Sequence, residues 1–472
     1  MTRRHWLRAG MATLSWKMLS PLYPGACTPA SPGKQAAESN CGLDYYSQGG
    51  VVVDGVAYFT ADDQSKRPGF RGKESPDFPH VVAFGVDDYK IIRRYPVAKT
   101  YDSTPLVIQK GDGTWLVLAH EYQKARTLAL ARDTGKVQWM SVANQPGGYF
   151  FGYSYFQCAD GSKLILMACS NGLHAMSSET GRDVWWVKQD ASGGITPCVD
   201  QANGWVFYQC TGKVLKIRAD DGKVLKWANV THPAWVVSWN TVLVNDSCGY
   251  FVATRWYGNP EWDSAIRVFD KDLDLVWEKT KLPSGKKDTL TYSDGKLITG
   301  SGNTWSKRYT GHDWKYIAAF AIADGRVIWK CDLANYEYNN ILNIPYYNGF
   351  FYAETQDSPP NKSKVFRIHA SDGRLAEVLE YGRPITSCAQ CIIAHGRILS
   401  GDLWEDRIVV SKIAENSKAD WPGPFCDPQS NPMALPEEPG AKCVPMQELF
   451  APLTRRLEQE LLRGTKRNGS RT

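Results

Sequence analysis

An all-β ring of repeated four-stranded sheets is the fold class this sequence predicts, and three observations predict it. A tight turn followed by a short strand ending in tryptophan recurs along the chain. The tryptophans at 186, 227, 277 and 329 fall roughly 40–50 residues apart, the period of one propeller blade in an all-β pattern. An apolar, strand-like run precedes each turn, as Ile317-Ala318-Ala319-Phe320-Ala321-Ile322 precedes Ala323-Asp324-Gly325-Arg326-Val327-Ile328-Trp329.

The clearest further copies are Asp133-Thr134-Gly135 to Trp139, Glu179-Thr180-Gly181 to Trp185-Trp186, and Asp221-Gly222 to Trp227. Lys271-Asp272-Leu273-Asp274 before Trp277 lacks the glycine, and Ser371-Asp372-Gly373 lacks the tryptophan. Val86-Asp87-Asp88-Tyr89 and Ile413-Ala414-Glu415-Asn416 are degraded outer copies. Glycine accepts the positive φ of a tight hairpin turn. Asp and Thr bond locally to the turn backbone. Tryptophan gives the blade a large apolar plate to lay against its neighbour. Asp-Gly turns are common in any β protein; what marks a propeller is strand, turn and strand in one order, about six times over. One blade cannot bury both its faces, so a ring supplies the missing core.

The repeats resemble the tryptophan-docking motif of the PQQ-like (quinoprotein alcohol dehydrogenase-like) β-propellers, roughly Ala-x-Asp-x-x-Thr-Gly-x-x-x-Trp. Ala131-Arg132-Asp133-Thr134-Gly135-Lys136-Val137-Gln138-Trp139 is a close match. The resemblance covers about residues 41–416 and implies the fold. It does not imply one function, because this propeller serves dehydrogenases, polysaccharide lyases and protein scaffolds alike.

Taken in order, residues 1–27 read as an export signal. Thr2-Arg3-Arg4-His5-Trp6-Leu7-Arg8 resembles a twin-arginine motif, an apolar stretch follows to Tyr23, and Gly25-Ala26-Cys27 closes it. Cys27 fits the end of a lipobox, although Pro24 fits that pattern badly. Residues 28–40, rich in Ser, Pro, Gly and Ala, read as a linker. The propeller then occupies 41–416, with a first blade beginning near Val51, others at about 104–142, 150–188, 195–229, 238–280, 288–332 and 343–380, and an eighth with three obvious strands from Cys391. Eight blades are expected, with seven as the alternative. The segment Cys41 to Ser47 is expected to supply the missing strand and close the ring. Residues 417–472 read as a proline-rich tail that wraps the outside. Within it Leu449, Phe450, Leu453, Leu457 and Leu461 recur at helical steps and predict a short amphipathic helix.

Formal charge is +6, and a chain cleaved after residue 27 keeps +2, because Arg3, Arg4, Arg8 and Lys17 leave with the signal. That balance carries no nucleic-acid footprint. The 12 cysteines are free to pair in an exported protein, with Cys426 and Cys443, which bracket a proline-rich loop, as the expected disulfide. Cys388-Ala389-Gln390-Cys391 is followed by Ile392, not the histidine of a haem-attachment motif. No second close Cys or His pair with zinc spacing accompanies Cys388 and Cys391, so no metal site is expected.

In propellers the loops from second to third strand, and from each outer strand to the next blade, share one face around the channel. Here those loops are long and aromatic. They offer His120 and Tyr122, then His232 and Trp235, then Arg255, Trp256 and Tyr257. Trp305, Arg308, His312, Trp314, Glu354, Asp402 and Trp404 complete the candidate ligand face. Rings beside charges suit a sugar or another flat polar ligand, or else plug the channel. His174 aligns with Leu128, Leu215, Ala318 and Phe366 of other copies and reads as a core or interblade residue, not a base.

Three functions follow. The reading favoured by regular repeats without a catalytic motif is an exported, monomeric binding or scaffold propeller for a protein or carbohydrate partner, reaching a membrane only through a lipidated Cys27. A uronate lyase would draw base, acid and carboxylate-neutralising groups from His120, Tyr122, His232, Arg255, Arg308 and His312. A quinone-dependent dehydrogenase would need PQQ and calcium, with Glu354, Asn303 and Asp402 recruited as oxygen ligands; no cofactor is expected, because these residues do not align with that family's site.

Overall fold

The repeated turn works as the sequence predicts. At Gly222 the backbone takes φ +73°. Its N–H donates to the Arg218 carbonyl at 3.0 Å, while Arg218 N–H donates to the Lys223 carbonyl at 2.9 Å. The residue before the glycine then fastens the turn. Asp221, Asp324 and Asp372 each accept the N–H two residues on, at 3.1, 3.0 and 2.9 Å. A register shift follows from the extra turn residue in the third-to-fourth-strand ladder of every sheet built from one continuous stretch.

The computed structural model describes residues 34–35, 38–40 and 46–412, except 63–79, 98–103, 122–125, 142–151, 170, 190–195, 211, 230–233, 238–240, 259–263, 283–289, 301–314, 339, 342–343, 357–361, 382–390 and 403–406. These residues form eight all-β sheets. Seven are each built from one continuous stretch, at 46–96, 106–140, 153–188, 198–229, 234–282, 291–332 and 340–380. The eighth combines Ile392–Ala394, Arg397–Asp402 and Arg407–Lys412 with Glu38–Asn40 from near the N-terminus. We number them blades one to eight in that order. First strands of neighbouring blades lie beside one another, which puts them at the axis. In blades five and seven the first strand is broken into two pieces that pair with opposite ends of the second.

Eight buried clusters, each drawn from two consecutive blades, carry the ring around. One of them joins Phe59 and Phe84 of blade one to Ile392 and Leu399 of blade eight, so the circle closes. Both chain ends therefore meet in one sheet, as expected, but the closing strand is Glu38–Asn40, not the segment from Cys41 to Ser47. Lys34–Gln35 adds a further strand, parallel to the outer strand of blade seven. Part of the stretch read as linker is thus edge strand.

The docks follow one rule. The tryptophan four residues after the turn position stacks on the turn of the next blade and donates its indole N–H to the carbonyl three residues before the next turn glycine. Trp139 donates to Ser178, Trp185 to Ala219, Trp277 to Ile322 and Trp329 to Ala370, at 2.7–3.1 Å. Trp186 and Trp227, read above as marks of the repeat, stand one residue further on. Successive strand side chains face opposite ways, so one step sends them outward. Both are exposed, at 44% and 56%.

Between blades four and five the dock is replaced. The turn position holds Leu273 at φ +58°, where glycine is missing. The facing position holds Lys226, whose ammonium reaches Asp274 at 2.8 Å. Lys216, opposite Lys226 in the ladder, donates to the Lys271 carbonyl at 2.7 Å and covers the Trp205 ring. Between blades one and two, the Tyr95 hydroxyl donates to the Arg132 carbonyl at 2.7 Å. That carbonyl again lies three residues before a turn glycine, Gly135. Arg132 meanwhile reaches back to Tyr58 and Asp54 at 2.6 and 2.8 Å. Tyr95→Phe should therefore cost about 1–2 kcal/mol in urea denaturation, since it leaves a carbonyl at this seam without its donor.

Candidate functional site

The second strand of each blade climbs toward the loops expected to bind ligand. It reaches further than the sequence implied. His120 lies inside Trp115–Glu121, Arg255, Trp256 and Tyr257 inside Gly249–Gly258, Glu354 inside Phe350–Gln356 and Asp402 inside Arg397–Asp402. Trp235 lies in the split first strand Ala234–Val237. These residues were expected in loops. Long second strands carry them into the sheets, because β-branched and aromatic residues there continue the pairing up to the loop.

The ladders align these strands with one another. Thr60, His120, Gln209, Arg255 and Glu354 occupy the same step in blades one, two, four, five and seven, two residues beyond the one paired to the third strand at the dock level. All five are buried. The result is a polar belt just beneath the loop face, and its described bonds run from blade to blade. Gln209 Nε2 donates to the Arg255 carbonyl at 2.8 Å. The Arg255 guanidinium donates to Thr299 Oγ1 of blade six. Glu354 Oε1 accepts from Tyr381 at 3.1 Å and from Ser400 of blade eight. Trp256, also buried, donates to Thr254 Oγ1 at 2.7 Å. Buried charge is tolerated here because each group meets a partner.

His120 is 2% exposed, and burial pushes its pKa down to about 4. It is therefore neutral at pH 7. An unfolded histidine titrates near 6.5, so between those values the unfolded chain binds more protons than the folded one. The stability His120 contributes is complete above pH ~6.5 and drains as pH falls toward ~4. Between pH 7 and 4.5 the native protein should lose about 2–3 kcal/mol more than His120→Gln, measured by urea denaturation.

His174 is fully buried. Its Nδ1 meets Asp183 at 3.1 Å and its Nε2 meets Asn171 at 3.0 Å, while its ring stacks on Trp186 at 5.3 Å. Its partners Asn171, Asp183 and Trp186 all belong to blade three, so it sits in the core of that blade.

Tyr122, His232, Trp305, Arg308, His312, Trp314 and Trp404 lie outside the described residues, as do Cys27, Cys426, Cys443 and Asn303. Trp235, Tyr257 and Asp402 are placed by backbone. The described cysteines, Cys158, Cys169, Cys198, Cys210, Cys248, Cys331 and Cys391, are free thiols. Burial pushes the Cys210 thiol up to about 12, which keeps it protonated and unreactive. Among the described residues no group of three metal-binding side chains comes together.

Sequence reasoning missed a charged clasp where the ring closes. Asp87 of blade one accepts from Arg397 at 2.8 Å and meets His395 at 3.0 Å, and Arg397 also donates to the Tyr89 hydroxyl at 3.1 Å. The signal was available: Asp87 and Tyr89 stand in the degraded first repeat, where the glycine and its docking ring are absent.

No protein-family model matches the chain, and no curated protein matches it. Solved structures do. BamB from Moraxella catarrhalis superposes with a TM-score of 0.52 at 12% identity, covering 81% of this chain and 100% of that one. Sqt1 from Saccharomyces cerevisiae gives 0.54 at 11% identity with the same coverage of 81% and 100%. At this identity the likeness is one of architecture, and with the ring of docked sheets described above it establishes that the chain is a β-propeller.

Proposed function

We propose that this protein is an exported propeller of the PQQ-like type, working in the periplasm or cell envelope as a monomeric binding or scaffold protein. Its partner is a protein gripped by the aromatic and charged loops at the ends of the second strands. One observation carries the reading. The ionisable side chains at that level, Arg255, Glu354 and His120, are buried. Arg255 and Glu354 tie one blade to the next, and His120 is neutral at pH 7. Groups held this way build a rigid platform. They are poorly placed to move protons on a substrate. Glu354, one of the carboxylates a quinone-bound calcium would recruit, accepts hydrogen bonds from Tyr381 and Ser400 within the ring.

A photo-crosslinking residue placed singly at Tyr122, Trp235, Arg308 and Trp404 tests the reading in the producing cell. Asp133 and Asp324, in turns at the opposite ends of the strands, serve as controls. One discrete protein adduct from the loop positions, and none from the controls, is the expected result. A lyase would instead give an ultraviolet-absorbing unsaturated product from a uronate polymer. A quinoprotein would show quinone absorbance after loading with PQQ and calcium. Either outcome, with no adduct, overturns the proposal.

A further inference from the structure

The seam between blades four and five lacks its indole at the outer end, where Lys226 and Leu273 stand instead. Its inner end is unusual too. Cys198 faces Phe207 across the first two strands of blade four, and Leu243 faces Val252 in blade five. All four are buried together in one cluster. Two residues nearer the loops, on the same faces of the same strands, stand Thr196, Gln209, Thr241 and Thr254. A polar layer therefore lies directly on an apolar one. Trp256, two residues beyond Thr254 and a member of the same cluster, borders the layer on its loop side. Its Nε1 donates to Thr254 Oγ1 at 2.7 Å, and that hydroxyl donates to the Arg267 carbonyl at 3.3 Å. Gln209 Nε2 donates across the seam to the Arg255 carbonyl at 2.8 Å. Three oxygens are left over. Thr196 Oγ1, Gln209 Oε1 and Thr241 Oγ1 are buried and meet no hydrogen-bond partner among the described residues. Their residues are 6%, 0% and 4% exposed.

We propose that this layer binds one ordered water, which ties blade four to blade five. A buried oxygen without a partner forfeits the hydrogen bonds it had in solvent. Three such atoms from two blades, in one layer, call for a shared ligand. Water has the right chemistry. Gln209 Oε1 can only accept, so the occupant must donate to it, while each threonine hydroxyl can accept or donate. A single water supplies two donors and two acceptor sites, enough for three protein partners. A cation fits badly, because the three oxygens are uncharged and the layer holds no carboxylate. Between blades two and three protein groups meet directly instead, with Thr127 Oγ1 and the Tyr153 hydroxyl 3.1 Å apart. Between blades four and five, lysines at the outer end and a bridging water at the inner end do the work of the missing indole. The site lies beneath the loop face and does not depend on what those loops bind.

A high-resolution crystal structure of the full-length chain tests this directly. One ordered water within hydrogen-bond distance of Thr196 Oγ1, Gln209 Oε1 and Thr241 Oγ1 is the expected result. A second measurement reads the energy. Thr241→Val keeps the side chain's shape and removes one of the water's bonds, so it should lower the folding equilibrium constant about fivefold to tenfold in urea denaturation. A dry layer predicts the opposite sign, because deleting an unpaired hydroxyl leaves stability unchanged or raises it. The proposal fails if Thr241→Val is as stable as the native protein. It fails if the three oxygens turn to protein partners with no density between them. It also fails if the density makes contacts shorter than hydrogen bonds that change when sodium replaces potassium, since the occupant is then a cation.

Discussion

Trp329→Ala should lower folding stability by about 3–5 kcal/mol, whereas Trp227→Ala should cost about 1 kcal/mol or less. The two residues look alike in the sequence, each closing a turn-and-strand repeat. Trp329 is nearly fully buried in a cluster that spans blades six and seven, packing beside Phe351. Truncation removes the plate, leaves a cavity, and takes the indole N–H from the Ala370 carbonyl it meets at 3.1 Å. Trp227 stands in solvent at 56% exposure. Urea denaturation of both variants reads the difference directly. Equal losses would mean that burial of the indole contributes nothing at the seam, and the docking rule would be wrong.

Gly222→Ala should cost about 2–5 kcal/mol. Two terms combine. The backbone at φ +73° disfavours any side chain, at about 1–2 kcal/mol. A methyl there would also sit 2.7 Å from Cδ2 of Trp185, the ring docked over the turn from blade three; such overpacking adds about 1–3 kcal/mol. Removing the ring separates them. In a Trp185→Ala background the steric term disappears, so the second substitution should cost only about 1–2 kcal/mol. The two residues are therefore expected to couple in a double-mutant cycle, measured by denaturant unfolding of all four proteins. Additive losses would show that ring and glycine do not touch. Leu273 is the natural counter-example: it holds a positive φ with a large side chain, and no tryptophan faces it, because the docking position of blade four is Lys226.

Much of the architecture is legible in the chain itself. The turn glycines, the residue before each, and the tryptophans four positions on carry the fold in their spacing, since a tight turn and a strand of alternating faces are local matters. The reading slipped by one residue where two indoles were adjacent or the repeat was degraded. Trp186 and Trp227 were counted as docks, yet a strand's alternation turns them outward. Arg255, Trp256, His120 and Glu354 read from the sequence as loop residues of a ligand face, whereas they lie in strands. Polar residues near a strand end look the same in a sequence whether they face water or a neighbouring blade. The same ambiguity hid Tyr95, Lys216 and the Asp87 clasp, which act across seams between residues far apart in the chain.

The sequence by itself determined the repeat, the hairpin turns, the all-β class and the meeting of the two chain ends in one blade. These rest on local conformational preference and on the period of apolar residues, which are written along the chain. Tertiary structure alone decided which indoles dock, which strand closes the circle, and that a belt of charged and polar side chains belongs to the seams. Those outcomes depend on what stands across each interface, and burial and pairing exist only once the blades have come together.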